Sequence, residues 1–475
     1  MAGGMEDVEL VELPGPGASP GPADAGVQDA VDRRRAGLAR VLRRWWPVPV
    51  VTICALVGWQ LVTDARERDR MERARGVEGV LAEAVVPPLD AAPWGDDDTV
   101  QVLYGGAAVA GGLLVGPVYL GDGSVPVVAA DHATGAERWR TQVARTPEGS
   151  LVGAGVSCQQ PVTDDPPTVW CTVGEPVSLA DGTTGTRARA VELDLADGAV
   201  LSDRELGTGG ATAAVGDLVV LASGGPESVR VTGVDRRSGA TRWDVTLPER
   251  AQEGSAPAVW AAGGHVMVWG SRDVWALDPA DGRVQVHDAG VEPGTGGRLV
   301  ATDHQGVSRL LDADGNPTGV SAPGAPLSLL PDDDSAAGLV LLGDGAPVRT
   351  VRAVDPDTGD VVWEREVDRG STVNLMLLDG VLYGSGTESV WAVDAVTGEA
   401  RWTTGAGESP AWQVLTDGRV LLRTEQGADG PELAAYALRD GDEVWRTVLP
   451  PTVQTVWQTQ GLLVGDGSAG LVALH

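Results

Sequence analysis

The 475-residue chain has no phenylalanine and no lysine, three cysteines and five histidines, set against 66 glycines, 31 prolines and 16 tryptophans. Without Lys, Arg supplies every side-chain cation apart from any protonated His. His132, His265, His287, His304 and His475 are scattered without the paired spacing of a metal centre, so no metal is expected. No G-x-S-x-G, P-loop or H-E-x-x-H motif occurs, which removes the usual signatures of three enzyme chemistries. Cationic excess is missing as well: the formal net charge is −32. Residues 1–75 balance 11 Arg against 11 acids, so the excess lies beyond them, as 24 Arg against 56 Asp and Glu. A surface so acidic repels phosphate backbones, and no nucleic-acid partner is expected. The Gly- and Pro-rich composition disfavours helices and suits short strands joined by tight turns.

One long apolar run is present, Trp45–Thr63, and it carries no charge. At about 1.5 Å per residue it spans roughly 28 Å as a helix, close to a hydrocarbon core of about 30 Å. Trp45, Trp46 and Trp59 sit near its ends, where indoles favour the interface. Pro47 and Pro49 fall in the first turn, which tolerates them. No convincing A-x-A cleavage site follows, so a retained transmembrane helix is expected rather than a signal peptide. Six Arg and no acid fill residues 33–44, while Arg and acids alternate after the span; this favours a cytoplasmic N-terminus. The expected organisation is a disordered cytoplasmic tail (1–44), the membrane helix (45–63), an extracytoplasmic stalk (64–97) and a repeat domain (98–475). Asp64 and Arg68, then Asp69 and Arg73, give the acid-to-base spacing of a short stalk helix, which Pro87-Pro88 would end.

The repeat decides the fold. VVAADHATGAERW (Val127–Trp139), VRAVDPDTGDVVW (Val351–Trp363) and VWAVDAVTGEARW (Val390–Trp402) share an apolar strand, an Asp, a turn Gly and a Trp four residues beyond it. The repeat positions are Asp131, Gly135 and Trp139; Asp235, Gly239 and Trp243; Asp355, Gly359 and Trp363; Asp394, Gly398 and Trp402; and Gly441 with Trp445. Asp is expected to accept backbone N–H bonds and start the turn, and Gly to supply positive φ. The Trp rings, locked to the turn, are expected to dock between adjacent sheets rather than form a ligand cage. Turn glycines at 135, 198, 239, 282, 315, 359, 398 and 441 mostly recur at the length of a four-stranded unit. The last unit, GLLVGDGSAGLVALH, lacks the turn and Trp strand, so an N-terminal strand is expected to complete it and close a ring; VQVLYG (Val100–Gly105) is the candidate.

The A-x-D-x-x-T-G-x-x-x-W unit in Ala353–Trp363 and Ala392–Trp402 resembles the pyrroloquinoline-quinone-type propeller repeat, over residues 98–475. That resemblance implies an all-β propeller, with eight blades as is usual in the family. It covers quinoprotein alcohol dehydrogenases and also BamB-like propellers, which bind no cofactor and act as envelope scaffolds. The dehydrogenase branch implies a disulfide between adjacent cysteines and a Glu, Asn and Asp set for calcium. No Cys-Cys dipeptide exists, and the two asparagines, Asn316 and Asn374, stand in no matching context. The expectation is therefore a non-enzymatic scaffold without cofactor, binding a protein, glycan or small ligand; the alternative is a quinone-dependent oxidoreductase.

Cys54 lies in the apolar run and is assigned no role. Cys158 and Cys171 fall in the longest repeat interval, on an expected inserted hairpin or loop. Outside the cytoplasm such a pair most simply forms a disulfide, two free thiols or half a metal site being the alternatives.

Overall fold

The computed structural model describes residue 60 and residues 70–104, 107–147, 153–159, 167–178, 184–224, 227–248, 257–312, 315–344, 348–367, 375–408, 414–467 and 470–474. The chain divides into a unit Met1–Arg70, of which residues 60 and 70 are described, and a compact unit Met71–His475. The expected tail lies outside the described residues, and so does the expected span apart from Gln60. Among the described residues no helix is long and apolar enough to cross a membrane.

Strands of the second unit form nine sheets, each built around a four-stranded antiparallel blade; that of blade seven carries a fifth strand, Leu329–Asp332, paired parallel to Leu375–Leu378. Blade one comprises Ala108–Ala110, Leu113–Pro117, Ser124–Asp131 and Glu137–Arg145. Burial follows position in the blade: Ser124–Asp131 is buried at every residue but Asp131, because its two faces meet the neighbouring sheets. The fourth strand, Glu137–Arg145, buries Trp139, Val143 and Ala144 and exposes charged residues between them. Core clusters each draw on adjacent blades; that of Val127, Ala129 and Trp139, for instance, also holds Val169, Val191 and Leu193 of blade two.

The blade count is nine, one more than expected. Eight turn glycines mark eight blades whose third and fourth strands are joined by a hairpin. The ninth has no such hairpin: Val453–Thr459, Leu462–Gly467 and Gly470–Leu474 are completed by Ala91–Pro93, with Ala91 opposite Leu474. The terminal unit is thus an extra blade rather than part of the eight. The short 282-to-315 interval loses no blade, since Gly290–Pro293, Leu299–Thr302, Val307–Leu311 and Pro317–Pro323 make a complete fifth one.

Ring closure by an N-terminal strand holds, but the strand is not Val100–Gly105. Residues Thr99–Tyr104 form a 3-10 helix. Asp96 Oδ1 accepts the Thr99 N–H at 2.8 Å and Thr99 Oγ1 accepts the Asp96 N–H at 2.8 Å, a reciprocal cap that starts a helical turn. Its Val102 and Leu103 fill the junction of blades nine and one. Within the segment expected as a stalk, residues 70–75 are helical, as the acid-to-base spacing suggests, and Val80, Leu81, Val85 and Leu89 are buried. They lie along blades seven to nine, where the Leu81 N–H donates to the Thr416 carbonyl and the Ala82 N–H to the Gly461 carbonyl.

Cys158 and Cys171 are disulfide-bonded. They sit directly opposite on Gly155–Gln159 and Thr168–Ser178, the first two strands of blade two, so the hairpin is the blade's own and not an insertion. The long interval arises from the connection 160–167 and from two eleven-residue strands, Thr168–Ser178 and Thr184–Asp194.

Candidate functional site

Each repeat position has a structural task. In the turn after Ser389–Asp394, Asp394 Oδ1 accepts the N–H groups of Val396 and Thr397, and the Gly398 N–H donates to the Asp394 carbonyl at 2.8 Å. Asp131, Asp235 and Asp355 bind their own turns in the same way. Arg138, Arg242 and Arg401 pair with the second oxygens of Asp131, Asp235 and Asp394. These bonds favour the ionised form: hydrogen bonds from the turn and the Arg partners hold the carboxyls of Asp131, Asp235 and Asp394 below the usual range.

The tryptophans join blade to blade. Trp139 Nε1 donates to the Leu195 carbonyl, Trp243 to Pro279, Trp363 to Ala395 and Trp402 to Leu438, each three residues before the turn glycine of the following blade. A Cβ on that glycine would strike the ring: at Gly398 it would lie 2.5 Å from Trp363 Cγ, and at Gly441 2.5 Å from Trp402 Cε3. These glycines therefore serve both positive φ and close approach, with φ 71° at Gly398. Gly135, Gly239 and Gly359 also adopt positive φ, but Gly239 meets Arg204 and Gly359 meets Val320 instead of a Trp ring. Trp445, in blade eight, is half-buried against the core it shares with blade nine, whose last two strands no turn joins. Sequence reasoning missed Trp94: it is buried, donates to the His132 carbonyl at 3.0 Å and repeats the same latch across the ring closure. Its signal was a Trp directly after a short apolar strand, without the preceding turn.

Blade eight holds a buried polar network that the repeat pattern also missed. Glu425, fully buried, accepts from Tyr436 Oη at 2.6 Å, Arg446 Nη1 at 2.7 Å and the Gly407 N–H at 2.8 Å. Arg423 donates to the carbonyls of Thr387, Ser389 and Gly407, tying blade eight to blade seven. Burial and the Glu425 carboxylate push the Tyr436 hydroxyl far up, so it stays a donor. Its groups are mutually engaged, and the network reads as a structural joint.

A cavity of about 570 Å³ opens against the innermost strands of three blades. Its wall comes from Gly155–Gln159, Ala211–Val215 and Ala258–Ala262, the first strands of blades two, three and four, with Tyr119 reaching over from blade one. The Val156 N–H contacts Tyr119 Oη at 3.4 Å. Of the sixteen lining residues none is charged, although charged residues make up 21% of the chain. Seven are Gly or Ala, and Ser157, Gln159, Thr172, Thr186 and Thr212 supply polar groups. Trp260 is 36% exposed and Tyr119 47% exposed at this wall. Cys158 and Cys171 alternate with Ser157, Gln159 and Thr172, so the disulfide braces the wall from behind.

A tricarboxylate quinone with its calcium would need cations for its carboxylates and a cluster of acids for the metal. This wall offers neither, and among the described residues no group of three His, Cys, Asp or Glu side chains is placed to hold a metal. Asn316 caps a turn onto Asp312 in blade five, and Asn374 lies outside the described residues. The acidic run Asp332–Asp334 is engaged locally: Asp332 and Asp333 accept backbone N–H groups of Asp334 and Ser335. The site does not fit the quinone.

The family described as outer membrane protein assembly factor BamB matches residues 84–258 and 348–475. No curated protein matches the chain. Among solved structures it is similar to BamB from Moraxella catarrhalis, with 17% identity over 63% of this chain and 95% of that one and a TM-score of 0.33. It is also similar to a europium-containing methanol dehydrogenase, with 13% identity, coverage of 75% and 84% and a TM-score of 0.35. A structure described as the eukaryotic initiation factor gives 13% identity, coverage of 77% and 88% and a TM-score of 0.40.

Proposed function

This chain belongs to the BamB family of pyrroloquinoline-quinone-like β-propellers, and from that premise we propose that it is a non-catalytic binding scaffold anchored in a cell membrane, with its propeller outside the cytoplasm. The observation that carries the reading is where the repeat chemistry goes. The Asp, Gly and Trp groups are spent on turns and on blade-to-blade latches, and the cavity wall holds no acid, base or cation to drive redox chemistry. The family description, an assembly factor, supports a role in bringing envelope components together. The apolar run 45–63 is the anchor in this reading, and the Cys158–Cys171 disulfide supports an oxidising compartment.

The purified chain mixed with pyrroloquinoline quinone and calcium is the direct test. No alcohol-dependent dye reduction is expected, and saturable turnover would overturn the scaffold reading. Carbonate-washed membranes should retain the full chain, and protease added outside intact spheroplasts should digest the propeller. Release by carbonate, or protection from protease, would remove the anchor or its orientation.

A further inference from the structure

We propose that the cavity at blades two to four is a binding site for a neutral oligosaccharide, an inference that rests on the scaffold reading and gives it a ligand class. Charge comes first. In a chain of net charge −32, a wall of sixteen residues without Asp, Glu, Arg or His is a local exception. An anion finds no cation there and a cation no carboxylate, so neither gains a partner for the hydration it would lose. A neutral polar ligand loses little and gains hydrogen bonds.

Those bonds are available. Ser157, Thr172 and Thr212 bring hydroxyls, and Gln159 brings an amide whose Oε1 already accepts from Arg236 Nη1 at 3.1 Å, leaving its Nε2 as the donor. The three innermost strands are sheet edges, so their outer-facing N–H and C=O groups add uncharged donors and acceptors. Hydroxyl groups of a sugar can both donate to and accept from such a wall.

The aromatic rings supply the second half of the argument. Trp139, Trp243, Trp363 and Trp402 are buried as inter-blade latches, whereas Trp260 is placed on an innermost strand and 36% exposed. Among the described residues Trp260 makes none of the inter-blade hydrogen bonds of the repeat tryptophans, and together with Tyr119 it brings partly exposed aromatic rings beside polar groups. Pyranose rings combine these two characters, with a face of C–H groups and an edge of hydroxyls. Seven of the sixteen wall residues are Gly or Ala and the aliphatic ones larger than these are Val156 and Val259, so the wall offers few apolar side chains to grip those of a peptide. The volume, about 570 Å³, lies within the range of about 300–1,000 Å³ for ligand sites and suits about two or three sugar units.

Gly155 provides a blocking variant. It lines the cavity, its φ is not in the left-handed region, and a Cβ there would meet nothing within 4 Å. Gly155→Leu should therefore fill the site while leaving the propeller intact. The full chain, kept in a polyoxyethylene detergent free of sugar head groups, is titrated calorimetrically with maltotriose, cellotriose and tri-N-acetylchitotriose, and with trigalacturonate and trialanine as anionic and peptide counterparts. Saturable binding of at least one neutral trisaccharide is expected, weakened at least tenfold by Gly155→Leu with an unchanged melting midpoint and by Trp260→Ala with cooperative unfolding retained. Absence of binding by all three neutral sugars overturns the inference. So does binding that both variants leave intact, or tighter binding of trigalacturonate or trialanine. The quinone assay separates the two levels: no sugar binding and no alcohol turnover ends this inference but leaves the scaffold reading, whereas turnover ends the scaffold reading.

Discussion

Trp363 and Gly398 show how little separates one blade from the next: an indole laid where any Cβ would intrude, with one hydrogen bond to Ala395. Trp363→Ala is expected to cost about 3–5 kcal/mol, as removal of a large buried aromatic does, and to lower the melting midpoint. Gly398→Ala should also destabilise, through the clash and a positive φ that alanine adopts poorly. Trp445→Ala should cost clearly less, because its ring is only half-buried and no turn in blade nine receives it. Thermal scans of the three variants side by side check the order. Acid acts at the same turns. The carboxyls of Asp131, Asp235 and Asp394 are held below their unfolded value, so their contribution is fully present above about pH 4 and is lost as pH falls through the lowered folded values. Asp332 works in the opposite sense: burial and its acidic neighbours raise it, so its ionised form opposes folding at neutral pH. Asp235→Asn should lower the midpoint at pH 7 by an amount that shrinks as pH falls below about 4, while Asp332→Asn should raise it at pH 7. Midpoints that do not converge for Asp235→Asn in acid would remove the carboxylate account.

At the scale of the strand and the turn, residues 91–94 matter most. Ala91–Pro93 is the outer strand of blade nine and Trp94 its latch. A chain begun at residue 98, where the repeat pattern starts, should fold less stably than one begun at 71, with exchange-labile amides in Gly470–Leu474; equal midpoints for the two would show that the ring needs no such closure. Reducing Cys158–Cys171 removes a cross-link over 13 residues, worth on the order of 3 kcal/mol in the chain-entropy model, and should lower the midpoint. The turn-bearing blades were legible because Asp, Gly and Trp recur where the backbone requires them. Ala91–Pro93 was not, since three residues carry no alternation and their partner lies far along the chain. Val100–Gly105 misled because its apolar residues suit a strand, while the cap made by Asp96 and Thr99 decided for a helical turn. The cross-strand cysteines were readable as a pair, but not their place in blade two, which the irregular spacing of that interval hid.

Across the whole molecule, blade number followed from counting turns, and a blade without a hairpin escaped the count. The cavity was illegible in the sequence for a related reason: Tyr119, Gln159, Thr212 and Trp260 belong to four different blades, and only the ring brings them together. Their mark is a lack of charge, which no local motif records. The way the ring shuts also governs how copies of the protein can become entangled. Ala91 meets Leu474 across about 380 residues, and raising a separation from one blade's length to this adds roughly 2 kcal/mol of loop-closure cost. That pairing should form last, and until it does Gly470–Leu474 is an open edge able to accept the same short strand from another copy. Crowded refolding should therefore yield exchanged dimers, each lending its first strand to the other's ninth blade. Size-exclusion chromatography would detect them as dimers that persist on dilution and return to monomers only after unfolding. A chain with Ala92→Pro, which removes a backbone donor from the lent strand, should form fewer of them. Folding of this protein is in that sense a race between two ends of one polymer finding each other and finding a neighbour's.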